Sequence, residues 1–79
     1  MKVPRGVSGA HLVDTLRRRW GRAQVHQAAR HIILETSEPT HQRIAIPDHH
    51  PLRIGTFLSI LRSVARHKGV PRDAIIASL

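Results

Sequence analysis

The sequence predicts an α+β fold of two layers: a three-stranded antiparallel sheet with its helices on one face, in the order α-β-β-β-α-α. Three observations carry that expectation. Apolar residues fall at helical spacing in two well-separated segments. Three short segments suited to strands lie between them, and glycine or proline punctuates most of the junctions. The chain of 79 residues suits one domain, 1–79, and is too short for a second.

Residues 1–7 are a short leader with Pro4 and Gly6. Ser8 is placed to cap a helix over Gly9 to Arg19, in which Leu12, Val13, Leu16 and the following Trp20 form one apolar stripe. Gly21 ends this helix. Arg17, Arg18 and Arg19 occupy its last turn, where positive charge complements the helix dipole. Residues 23–28 (AQVHQA) form a weak strand, and residues 31–36 (HIILET) a stronger one rich in β-branched side chains. Residues 37–40, with Pro39, make a turn, and residues 42–46 (QRIAI) alternate cleanly as a third strand. Proline at both ends stiffens the loop 47–51. A second helix fits 54–67, with Ile54, Phe57, Leu58, Leu61, Val64 and Ala65 as its core stripe and Gly69 as its stop. Pro71 suits the first turn of a short third helix, docked by Ile75, Ile76 and Leu79.

Strand alternation then sorts the side chains. Ile32, Leu34, Ile44 and Ile46 share the face that helices must cover, so His31, Glu35 and Arg43 look out from the other. If Ala29 and Arg30 form a two-residue hairpin loop, Ala28 pairs with His31, His26 with Ile33, and Val25 with Leu34. That register puts Val25 in the core, His26 on the open face near His31, and Arg30 at the hairpin tip.

Charge points to a partner. Thirteen Lys and Arg against five Asp and Glu give a net +8 with histidines neutral, which in a folded domain favours a polyanion, most often nucleic acid. Only Trp20 and Phe57 are aromatic, which argues against bases stacked on aromatic platforms. Without cysteine there is no disulfide and no thiolate zinc site. Adjacent His49 and His50 suit one metal ion poorly and read as loop residues, so neither metal nor cofactor is expected. No signal peptide and no apolar run near the roughly 18 residues of a membrane span is visible, so a soluble cytoplasmic protein is expected.

Three strings resemble the HicA family of mRNA interferase toxins. Ser8-Gly9 opens a helix reading HLVDTLRRRWG. The hairpin places His31 before IILET, where the family has Gly-Ser-His and then a strand. From Ile46 to Val64 the chain reads IPDHHPLRIGTFLSILRSV, where the family has a proline loop, Gly-Thr-Leu and a helix. Together they span nearly the whole chain, and the third is the most specific. The resemblance implies a fold like that of double-stranded-RNA-binding domains and metal-free RNA cleavage centred on one histidine, by position His31. It also implies a HicB-like antitoxin that covers the active face, with the toxin monomeric when alone and hetero-oligomeric with its antitoxin.

The family's Gly-Ser is Ala29-Arg30 here. One position of a tight hairpin loop usually needs positive φ, where alanine costs on the order of 1 kcal/mol or forces another turn.

The chemistry suits the residues. RNA carries its own nucleophile, the 2′-OH, and a histidine with an ordinary pKa near 6.5 can take its proton at neutral pH. His26 is a candidate helper. Arg43 either binds the scissile phosphate or pairs across the strands with Glu35. Arg30 is well placed for RNA, and Arg17, Arg18 and Arg19 either grip flanking phosphates or are simply a solvated helix end. A non-catalytic RNA-binding domain and a module docking an acidic protein are the competing readings.

Overall fold

The computed structural model describes residues 2–79, and the structural statements concern those residues. Its elements are α1 (Gly9–Arg19), β1 (Ala23–Ala28), β2 (His31–Thr36), β3 (Gln42–Pro47), α2 (Ile54–Lys68) and α3 (Arg72–Ala77). The strands form one antiparallel sheet in the order β1-β2-β3. The expected α+β order is what the chain adopts. Bounds differ by one residue: β3 extends through Pro47, α2 through Lys68, and Pro71 is the N-cap of α3 rather than its first residue.

The core lies between one sheet face and the helices. Leu12 and Leu16 of α1, Leu34 and Ile46 of the sheet, Leu61 and Val64 of α2 and Ile75 of α3 are all fully buried. The α1 stripe is therefore as the spacing predicts, with Trp20 half-buried at its end and its Nε1 donating to Ser78 Oγ at 2.9 Å. In α2 the stripe is narrower than expected. Phe57, Leu61, Val64 and Ala65 are buried, Leu58 is half-buried, and Ile54 is 39% exposed in the first turn.

Local chemistry fixes the helix ends. Ser8 Oγ accepts the His11 amide at 3.0 Å, the cap the sequence predicts. Gly69 closes α2 at φ 69°, its amide bonded to the Ala65 and Arg66 carbonyls. Gly9 has a different role: a Cβ there would lie 1.9 Å from the Pro47 carbonyl oxygen, so only glycine lets α1 start this close to the end of β3.

Strand β1 departs from the expected register. Ala28 pairs with His31 and His26 with Ile33 as predicted, but a bulge between Gln24 and His26 leaves Gln24 opposite Leu34. Val25 is the extra residue, and it is 48% exposed rather than in the core. The reason is coverage. All six residues of β1 are exposed, so its inner face has no helix to bury against, and Val25 gains nothing from staying in register.

At the end of the sheet where α1 and α2 finish, a buried cation holds the layers together. Arg22 is 3% exposed, and its Nη2 donates to Gln42 Oε1 at 2.5 Å and lies 3.4 Å from His67 Nδ1. His67 Nε2 in turn lies 2.8 Å from the Thr40 carbonyl, and Gln42 Nε2 donates to Ser63 Oγ at 3.1 Å. Lys68 Nζ donates to the Glu38 carbonyl at 2.6 Å. Burial lowers the pKa of Arg22 below the ordinary guanidinium value. Burial also lowers that of Lys68; the nearby Arg22 charge lowers it further, and Glu38 opposes the shift.

Candidate nucleic-acid interface

The face of the sheet away from the helices carries the candidate residues in paired rows. His31 lies between Ala28 and Pro47, Ile33 between His26 and Ala45, and Glu35 opposite Arg43. His31, His26 and Arg43 are all exposed. His26 is the diagonal neighbour of His31, a placement that separates two such side chains by about 7–8 Å and keeps them within reach of one small group.

Partners distinguish these groups. No hydrogen bond or ion pair engages the imidazoles of His31 and His26 among the described residues. Arg43 faces Glu35 across the strands, yet the Glu35 carboxylate is taken by His41, Nε2 to Oε2 at 3.1 Å. The cross-strand pair weighed for Arg43 is therefore replaced by a Glu35–His41 pair, and the guanidinium stands free among the described residues.

The β1–β2 loop is the two-residue turn Ala29-Arg30. Ala29 sits at φ 50°, the strained region the sequence anticipates for one loop position. Arg30 follows, and its carbonyl accepts the Asp48 amide at 2.6 Å. Two more bonds tie down the following loop: the Gly9 amide donates to the His49 carbonyl at 2.8 Å, and the Leu52 amide to the Val7 carbonyl at 2.8 Å. Between the hairpin tip and this loop lies an open depression of about 460 Å³, lined by Arg30, Asp48, His49, His50, Pro51 and Arg53. It adjoins His31, since the turn residue Arg30 directly precedes His31 and Asp48 follows Pro47, the residue paired with His31.

Helix direction adds to the potential here. The α1 start is bonded to His49, and α2 starts at Ile54 with no acidic residue in its first turn, so both positive helix ends meet at the His31 end of the sheet. Arg17 and Arg18 are not part of this group. They occupy the other end of α1, an 11-residue helix and thus about 16 Å long, and Arg18 Nε is engaged by Asp14 Oδ1 at 2.9 Å.

The structure thus gathers His26, His31 and Arg43 on one face with Arg30 at its corner, and leaves Arg17 and Arg18 apart. Sequence reasoning missed His49, His50 and Arg53 as neighbours of His31. Only the β2–β3 register and the Asp48–Arg30 bond bring that loop to the hairpin, and neither leaves a periodic trace. It also missed Gly9, for which a glycine directly after a cap residue was the available signal. No three His, Asp or Glu side chains among the described residues are grouped to hold a metal ion. Nor is any helix there long and apolar enough to cross a membrane. No protein-family profile, curated protein or solved structure matches the chain.

Proposed function

We propose that this domain is a metal-independent endoribonuclease that binds mRNA on the open face of its sheet, the toxin half of a HicA-type toxin–antitoxin pair acting in the cytoplasm. The observation that carries this reading is His31 itself: an unpartnered, exposed imidazole on an uncovered face, with Arg30 next to it, a second imidazole on its diagonal and Arg43 four residues further along the same face.

The step follows from these positions. His31 takes the proton of the 2′-OH, and the 2′-oxygen attacks the adjacent phosphorus. The bond from phosphorus to the 5′-oxygen breaks, and that oxygen receives a proton from His26 in its imidazolium form. The products are a 2′,3′-cyclic phosphate and a 5′-hydroxyl. Arg43, four residues along the sheet from the row of His31 and thus about 13 Å away, binds the RNA backbone to one side of the scissile phosphate. Two imidazoles supply both proton transfers, so the step requires no metal ion. Each such transfer is typically worth 10²–10⁴-fold, a scale suited to a slow toxin.

The +8 charge supplies the attraction to RNA, and the same face suits an acidic HicB-like antitoxin that would shield His31 in the hetero-oligomer. The test is cleavage of single-stranded RNA in EDTA by the protein and by His31→Ala. The expected result is cleavage with cyclic-phosphate ends that disappears in the variant. Cleavage unchanged by His31→Ala overturns the reading, and RNA binding without cleavage in either protein leaves an RNA-binding domain instead.

A further inference from the structure

We propose that the depression between the hairpin tip and the β3–α2 loop is a phosphate subsite, gripping the RNA backbone beside the bond that His31 addresses, with Arg30 and Arg53 as its two anchors. The proposal rests on the RNA-binding half of the reading above and does not depend on cleavage.

Charge is the first argument. Arg30 and Arg53 line the depression with His49 and His50, against a single opposing carboxylate, Asp48. Neither arginine has an ion-pair or hydrogen-bond partner for its side chain among the described residues, so both guanidinium forks are free for phosphate oxygens. Arg62 and Arg66 also share an open depression, but it lies against Gln42 and His67, so what sets Arg30 and Arg53 apart is their place beside His31.

Rigidity is the second argument. The Asp48–Arg30, Gly9–His49 and Val7–Leu52 backbone bonds fix the loop to the hairpin, to α1 and to the leader, and Leu52 is buried beneath it. Both walls are thus held before any ligand arrives, which lowers the ordering cost of binding.

Position is the third argument. Arg30 is the turn residue directly before His31, the first residue of β2, at the corner where an RNA strand crossing the open face would leave it. A backbone contact there would set which phosphate faces His31, making Arg30 and Arg53 positioning residues.

The experiment uses a single-stranded octauridylate and the His31→Ala protein, so that nothing is cut. Amide shifts in NMR should map to Arg30, His49, His50 and Arg53. Each phosphate contact contributes about 0.7 to the slope of log affinity against log salt for a single strand. R30Q/R53Q should therefore flatten the slope by about 1.4 and weaken binding about tenfold at 0.15 M salt. R62Q/R66Q, which removes the same charge from exposed positions on α2, controls for net charge and should change the slope less. In the active protein, R30Q/R53Q should raise KM while kcat is retained. The proposal is overturned by a slope change no larger than the control's, by shifts confined to other residues, or by shifts induced by polyglutamate and not by octauridylate. Binding at this site without any cleavage would retain the subsite and sink the nuclease reading; cleavage indifferent to R30Q/R53Q would do the reverse.

Discussion

The two ends of the sheet use histidine in opposite ways. At one end His67 is held at both ring nitrogens, 3.4 Å from Arg22 Nη2 and 2.8 Å from the Thr40 carbonyl, inside a cluster that joins α2 to the sheet. At the other end His31 touches no polar partner and stands exposed. The first arrangement assigns the imidazole a tautomer: Nε2–H donates to the carbonyl, and Nδ1 accepts from Arg22. The second leaves both nitrogens available to a substrate. A ring bonded on both sides contributes to folding and is unsuited to exchanging protons with a ligand, whereas a free one contributes little to folding and can exchange them.

The largest expected effect breaks this contrast directly. His31→Ala should reduce RNA cleavage by 10²-fold or more while leaving Tm nearly unchanged. His67→Ala should do the opposite: Tm falls by several degrees, as two partners lose their bonds at about 1 kcal/mol each, while cleavage per folded molecule is preserved. Thermal melts and initial rates on the same preparations decide it. Equal activity losses in the two variants would remove the contrast.

Gly9→Ala should rank next. A methyl group 1.9 Å from the Pro47 carbonyl oxygen must push α1 from the end of β3, and relief of such a clash costs about 1–3 kcal/mol. Because the same movement stretches the Gly9–His49 bond, the variant should also lose RNA affinity at the His31 end and leave the Arg22 cluster intact. Urea unfolding and hydrogen exchange of the Arg22 and His67 amides separate the two.

The contrast explains what the sequence could and could not reveal. The open face was legible because period-two alternation in HIILET and QRIAI forces His31 and Arg43 to the side opposite Ile32, Leu34, Ile44 and Ile46. The buried stripe of α1 was legible for the parallel reason of helical spacing. Neither pattern bears on Arg22, an arginine just after a glycine, whose burial depends on Gln42 and His67 arriving from two distant elements. Val25 was misplaced because alternation presumes a covered inner face, and β1 has none. His49 and His50 were seen as loop residues, which they are, but their nearness to His31 depends on long-range pairing.

Arg22→Ala should cost about 1–3 kcal/mol, since it strands Gln42 Oε1 and His67 Nδ1. Arg22→Met should cost less, because the wild-type Nε and Nη1 are themselves buried without partners and the substitution removes that penalty. Either change also deletes a nearby cation from Lys68, so the Lys68 pKa should move back up toward 10.5. In the parent protein, between the lowered folded value and 10.5 the unfolded chain binds more protons, and stability should rise with pH across that window. The variants should show a shallower rise.

The smallest expected effect concerns the turn that presents His31. Ala29 at φ 50° bears left-handed strain of about 1–2 kcal/mol, and glycine would relieve it. Glycine also frees the unfolded chain, which returns roughly 0.4–1 kcal/mol of that gain. Ala29→Gly should therefore raise stability by about 0.5–1 kcal/mol, a few degrees in Tm. The consequence for function depends on the backbone rather than on the methyl group. The Arg30 carbonyl is already fixed by the Asp48 amide at 2.6 Å and His31 by its pairs with Ala28 and Pro47, so the imidazole should not move. Cleavage by Ala29→Gly should accordingly match that of the parent protein within about twofold at temperatures where both are folded. A large gain in rate with unchanged Tm would show instead that the alanine turn displaces His31 from its working position.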